Sequence, residues 1–183
     1  MNFIETPIEG LIIIEPRVFK DDRGYFFESF SEKEMNAHGI MGPFVQDNQS
    51  VSHAKVLRGL HFQKAPYEQG KLVRVAKGRV IDYVVDIRKG SKTFGKHFSV
   101  ELDSETNRML WIPVGFAHGF VTLEDDTAFI YKVSDYYNPQ AESGILYNDP
   151  ELNIDWKISG EIVSQKDKIL PSFKEYRQTI GLM

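Results

Sequence analysis

Residues 80–87 read VIDYVVDI. Ile81, Tyr83, Val85 and Ile87 share one parity, and Asp82 and Asp86 stand on the other. Side chains alternate across a strand, so this period of two predicts a β-strand with one apolar and one polar face. Neighbouring segments carry the same signature. TFGKHFSVEL (93–102) sets Phe94, Phe98, Val100 and Leu102 against Gly95, His97, Ser99 and Glu101, and TAFIYKV (127–133) groups Phe129, Tyr131 and Val133. Lys77-Gly78, Arg88-Lys89-Gly90 and Glu124-Asp125-Asp126 are turn signals that part these runs at short intervals. Short strands divided by tight turns predict an antiparallel sandwich or barrel.

Helices are minor and peripheral. SEKEMNAHG (31–39) opens with Ser31 and Glu34 at capping-box spacing and closes on Gly39. SFKEYRQTIG (172–181) repeats that spacing with Ser172 and Glu175. No repeat, low-complexity tract or Pro/Gly/Ser linker divides the chain, so residues 1–183 are expected as one domain. With 42% hydrophobic and 26% charged residues the composition is that of a folded globular protein. A net charge of -4 argues against a nucleic-acid partner, which calls for a basic field. The chain has no cysteine, which removes disulfides, thiolate catalysis and zinc–thiolate sites. The opening MNFIETPIEG lacks a basic region, and the apolar run 11–14 is too short for a signal or a membrane segment. The expected location is the cytoplasm, with no membrane partner.

The chemistry concentrates in VLRGLHFQ (56–63). A strand histidine is commonly a core residue with backbone partners, but Arg58, Gln63 and Lys71 lie close to His61 in sequence. That is too much polarity for a dry core. Strict alternation places Arg58 and His61 on opposite faces; a bulge at Gly59 would turn both into one wet pocket. A second histidine, His118, lies in IPVGFAHGF (112–120), and this Pro-x-Gly-x-x-His spacing resembles the second motif of the cupin barrels. Cupins that bind a metal usually present His-x-His in the first motif, and the matching triplet here is His61-Phe62-Gln63. Two histidines with Glu68 make a poor divalent site, so no metal is expected. Tyr131 reads by itself as a barrel-wall aromatic, and Asp167 as part of a solvated charge run. His38, His53 and His97 read as surface or loop residues.

Taken together, DDRGYFFESF (21–30), QDNQSVS (46–52), VLRGLHFQ (56–63), GKLVRVAKGRVIDYVVDIRKGS (70–91), WIPVGFAHGF (111–120), YKVSDYYNPQAESGI (131–145) and SQKDKILP (164–171) resemble the dTDP-4-dehydrorhamnose 3,5-epimerase family. The match runs nearly the whole chain. Tyr147 departs from it where the family more often has tryptophan. The resemblance implies an all-β, cupin-type double-sheet jelly-roll barrel with short peripheral helices, working as a homodimer without cofactor. It implies inversion of two carbons of a dTDP-linked 4-keto-6-deoxyhexose on the route to dTDP-L-rhamnose. His61 matches the base, with Asp167 as its partner carboxylate, Tyr131 the opposing acid, and Lys71 the cation near the ketone oxygen. Arg23, Arg58 and Lys166 match positions toward the diphosphate, and Gln46 and Asn48 positions toward the nucleotide. Glu28, His118 and Glu142 complete the set, with Arg23 and Glu28 on a segment that in the family reaches the partner subunit. Rival readings are an epimerase acting at one carbon of a related sugar, a non-catalytic sugar-nucleotide binder, and a metal-dependent cupin.

Overall fold

A computed structural model describes residues 1–182; Met183 of the expected domain lies outside the described residues. Strands dominate. In chain order they are β1 (Asn2–Glu5), β2 (Ile12–Glu15), β3 (Phe19–Asp21), β4 (Gly24–Phe26), then helix α1 (Glu32–Ala37), and β5 (Gln46–Ser52). Next come β6 (Val56–Gln63), β7 (Lys71–Lys77), β8 (Arg79–Asp86), β9 (His97–Asp103), β10 (Met109–Ile112), β11 (Phe116–Thr122) and β12 (Thr127–Val133). The chain closes with β13 (Glu142–Gly144), β14 (Ile162–Val163), a 3-10 turn (Asp167–Ile169) and α2 (Phe173–Thr179).

Two sheets make the body. The first runs β1-β2-β10-β7-β12-β5, and the second runs β13-β6-β11-β8-β9. All of these neighbours are antiparallel, while β14 adds to β6 in parallel. Between the sheets Val73, Val75, Leu110 and Phe129 of the first meet Val80, Val84, Leu102, Phe116 and Phe120 of the second. This is the all-β double-sheet architecture expected of a jelly roll.

The segment 80–87 reveals a difference from its sequence pattern. Tyr83, Val85 and Ile87 do share a face, but it is the outer one, covered by Leu152, Trp156, Val163 and Phe173 from the C-terminal quarter. The other parity faces the barrel interior, where Val80, Val84, Asp82 and Asp86 are all fully buried. Alternation identifies parity, yet it cannot say which side is inside when both sides are covered. On the other sheet, α1 and the residues after it play the covering part: Met35 and Ile40 seal Leu72, Met109 and Trp111.

Both helices form at the expected places, with one difference. Ser172 accepts from Glu175 N at 3.2 Å and Glu175 Oε2 accepts from Ser172 N at 2.7 Å, completing the capping box of α2. Ser31 occupies the N-cap of α1 but its side chain makes no capping bond. That helix is held by Met35 in the core rather than by its cap. Among the described residues no helix is long and apolar enough to cross a membrane.

Candidate active site

Gly59 decides which side chains meet. On β11, His118 and Phe120 are two residues apart, but their partners on β6 are His61 and Arg58, three apart. One extra residue on β6 resets its parity, so Leu57, Leu60 and Phe62 all pack outward while Arg58 and His61 turn inward together. Gly59 sits at φ +143, and a Cβ there would come within 2.5 Å of Gly119 Cα. Only glycine fits that crossing.

The cavity so formed holds about 520 Å³ and has three walls. Arg58, His61 and His118 come from the second sheet, and Lys71, Phe129 and Tyr131 from the first. The chain from Ile162 to Asp167 folds back over the barrel as the third. His61 and Tyr131 therefore face one space from opposite sheets.

His61 Nε2 lies 2.8 Å from Asp167 Oδ1. Asp167 is buried; its Oδ2 accepts from Gly59 N at 3.4 Å and its own N–H donates to Ser164 Oγ at 3.1 Å. Burial pushes the Asp167 carboxyl up, but the hydrogen bond and charge of His61, with help from Gly59 and Ser164, hold it below the usual carboxylate range. The imidazole keeps 35% of its side chain exposed. A second pair stands beside it: His118 Nε2 lies 2.8 Å from Asp82 Oδ2, and Asp82 is fully buried with Oδ1 unpartnered. Burial drives the Asp82 carboxyl upward against the opposing pull of His118 and Lys71.

Lys71 is buried, and its Nζ donates to His61 O at 3.4 Å. Loss of hydration pushes its pKa down to about 8, with the Asp82 charge resisting. Tyr131 is pushed above the ordinary phenol value, first by burial and then by Glu142, with Arg58 opposing. Arg58 reaches Ser52 Oγ at 3.1 Å through Nη2.

The remaining expected residues fall into two groups. Lys166 lines the cavity and pairs with Glu142 at 2.6 Å, while Gln46 donates to Asn48 at 2.8 Å on the adjoining β5. Asn48 is the register partner of Tyr131, and Gln46, Asn48 and Glu142 edge the cavity without lining it. Arg23 is elsewhere: its side chain is 90% exposed and bonded to Asp21 at 2.6 Å on the β3–β4 hairpin. Glu28, just beyond that hairpin, also lies off the cavity lining.

Sequence reasoning missed three contributors. Asp82 was visible only as a parity mark, although a carboxylate inside a Val-rich strand signals a buried partner. Ser52 as the anchor of Arg58 and Tyr137 as a donor to Glu142 at 2.8 Å left no local signal. Among the described residues no group of three or more His, Cys, Asp or Glu side chains is placed to hold a metal ion, and each cavity histidine instead engages one carboxylate.

A family model described as dTDP-4-dehydrorhamnose 3,5-epimerase matches residues 5–175. A dTDP-4-dehydrorhamnose 3,5-epimerase of Shigella flexneri is 51% identical over 168 residues, covering 91% of this chain and 93% of that protein. One from Escherichia coli is 50% identical over 177 residues, covering 96% of each. The crystal structure of a dTDP-6-deoxy-D-glucose-3,5-epimerase from Legionella pneumophila, in complex with dTDP-4-keto-L-rhamnose, superposes with a TM-score of 0.91 at 48% identity, covering 94% of this chain and 93% of that one. The family model spans most of the chain and these relatives are about half identical to it over nearly their whole length, so the chain belongs to the dTDP-4-dehydrorhamnose 3,5-epimerase family.

Proposed function

We propose that this chain inverts C3 and C5 of dTDP-4-dehydro-6-deoxy-D-glucose, giving dTDP-4-dehydro-L-rhamnose. The observation that carries the reading is the placement of His61 and Tyr131 on opposite sheets around one water-accessible cavity. A carbon beside a ketone loses its proton to a positioned base when the resulting enolate is stabilised, and inversion follows if the proton returns from the other face. Protons alone move, so the chemistry asks for no redox cofactor.

His61 is the base, because its imidazole is paired with Asp167 and still open to the cavity. Asp167 orients the ring through Nε2 and stabilises the imidazolium. The charged Lys71 ammonium and His118 supply the field in which the ketone oxygen gains charge. Tyr131, kept protonated by burial, returns the proton from the far side. Arg58 and Lys166 take the diphosphate, as forked and point cations do, and Gln46, Asn48 and Glu142 position the nucleotide. Arg23 and Glu28 lie off this cavity and serve the partner's site in a homodimer. The chain works as one domain, residues 1–183, in the cytoplasm.

The test is NMR of the 4-keto substrate with the protein in deuterated water. Deuterium at both flanking carbons, with L-configured product, is the expected result. Label at one carbon would make it a single-site epimerase, and tight binding without exchange would make it a sugar-nucleotide binder.

A further inference from the structure

Gln63 closes β6 two residues beyond His61 and is 6% exposed. Its amide is fully engaged with main chain: Nε2 donates to Tyr67 O at 2.6 Å and to Tyr136 O at 3.2 Å, and Oε1 accepts from Asn138 N at 2.7 Å. One side chain thus reaches two loops, 64–69 and 134–140, which Gln69 also joins through Asp135 O at 2.7 Å. The second loop is where the groups at the cavity edge converge. Tyr137 N donates to Gln46 Oε1 at 3.2 Å, and the Tyr137 hydroxyl donates to Glu142 Oε2 at 2.8 Å. Glu142 in turn holds Lys166 at 2.6 Å, and its own N–H donates to Asn138 O at 3.1 Å. Displacing the main chain at 136–138 would therefore move Gln46, Glu142 and Lys166 together. Asp167 has anchors of its own outside this loop, in Gly59 and Ser164.

We infer that Gln63 is a positioning residue for the nucleotide end of the cavity: it sets loop 134–140 and, through that loop, Gln46, Glu142 and Lys166, without touching substrate. The inference rests on the epimerase reading above. Its chemistry is the buried amide: truncating it leaves a main-chain donor and two carbonyls without their partner, and the loop must shift to find others. In the sequence the same residue looked like the place where a metal-binding cupin keeps a second histidine; here its polar atoms hold loops instead.

The experiment compares the full-length wild type with Gln63→Met, which removes all three bonds, and Gln63→Glu, which keeps size and an acceptor for Asn138 N. Solvent deuterium exchange gives kcat and KM for the 4-keto substrate, and calorimetry gives Kd for dTDP alone. Both variants are expected to raise KM and the dTDP Kd about tenfold, with kcat within about twofold of wild type. A purely structural residue would instead lower kcat and thermal stability together while leaving dTDP affinity alone, and that result overturns the inference. So does failure of both variants to fold, since a positioning residue leaves the barrel intact. A wild type that binds dTDP but exchanges no deuterium would sink the epimerase reading alone, and the dTDP affinities would still judge Gln63.

Discussion

The interior holds two histidine–carboxylate pairs with the same 2.8 Å spacing and opposite settings. His61–Asp167 joins β6 to the C-terminal turn, 106 residues away, and leaves a third of the imidazole open to the cavity. His118–Asp82 is built inside one sheet from neighbouring strands, with only 9% of the imidazole side chain exposed and none of the carboxylate. Asp167 collects extra donors and is held low; Asp82 has an orphan oxygen and is driven up. Equal distance does not mean equal role. The open pair is fit to exchange a proton with a ligand, whereas the sealed pair is fit to hold the His118 ring in a fixed orientation.

That contrast can be broken by substitution, and the largest effect is expected at the open pair. His61→Ala should lower solvent exchange at the sugar carbons by about a thousandfold or more, with the fold retained by circular dichroism, because the ring lies at the cavity face and not in the core. Substantial residual exchange would move the base elsewhere. Next, Asp167→Asn should cost about a hundredfold in kcat and Asp82→Asn about tenfold, since only Asp167 stabilises the imidazolium that forms during the reaction. Equal losses in steady-state kinetics would erase the distinction.

A subtler effect concerns pH. Lys71 is cationic below its folded pKa of about 8 and neutral above it, so kcat/KM should fall as pH rises through about 8. The Lys71 ammonium feels the Asp82 charge and donates to His61 O, and His61, His118, Tyr131 and Arg58 line the same cavity. Of these, Asp82 is the charge that resists deprotonation, so in Asp82→Asn the alkaline limb should move to lower pH. An unmoved limb would assign it to another group.

The smallest effect is on stability in acid. The folded Asp167 pKa lies below its unfolded value of about 3.9, so its contribution is complete above that value and is lost as pH falls through the folded pKa. The Tm difference between wild type and Asp167→Asn should therefore narrow below about pH 3.9. A constant difference would mean that the dyad contributes nothing through its charge.

Much of this was legible from local pattern. The bulge at Gly59 could be inferred because Arg58 and His61 sit at odd spacing on one strand and neither tolerates unpaired burial. The α2 capping box could be read from Ser172 and Glu175 because a cap is a contact within one turn. The Ser31 cap failed for the complementary reason: a capping bond is a weak preference, and core packing of Met35 fixes that helix without it. Asp167 could be matched only through the family resemblance, since its own neighbours make it look solvated.

By itself, the amino-acid sequence determined the strands, through their period of two, and the chemical repertoire of imidazole, phenol, ammonium and carboxylate. Tertiary structure alone decided which parity of residues 80–87 faces inward and that Asp82 lies under His118, and it closed the 106 residues between His61 and Asp167. The physical reason is range. Alternation, turns and caps act over a few residues of backbone, whereas a cavity is made of groups brought together by the closing of two sheets and the segment folded across them.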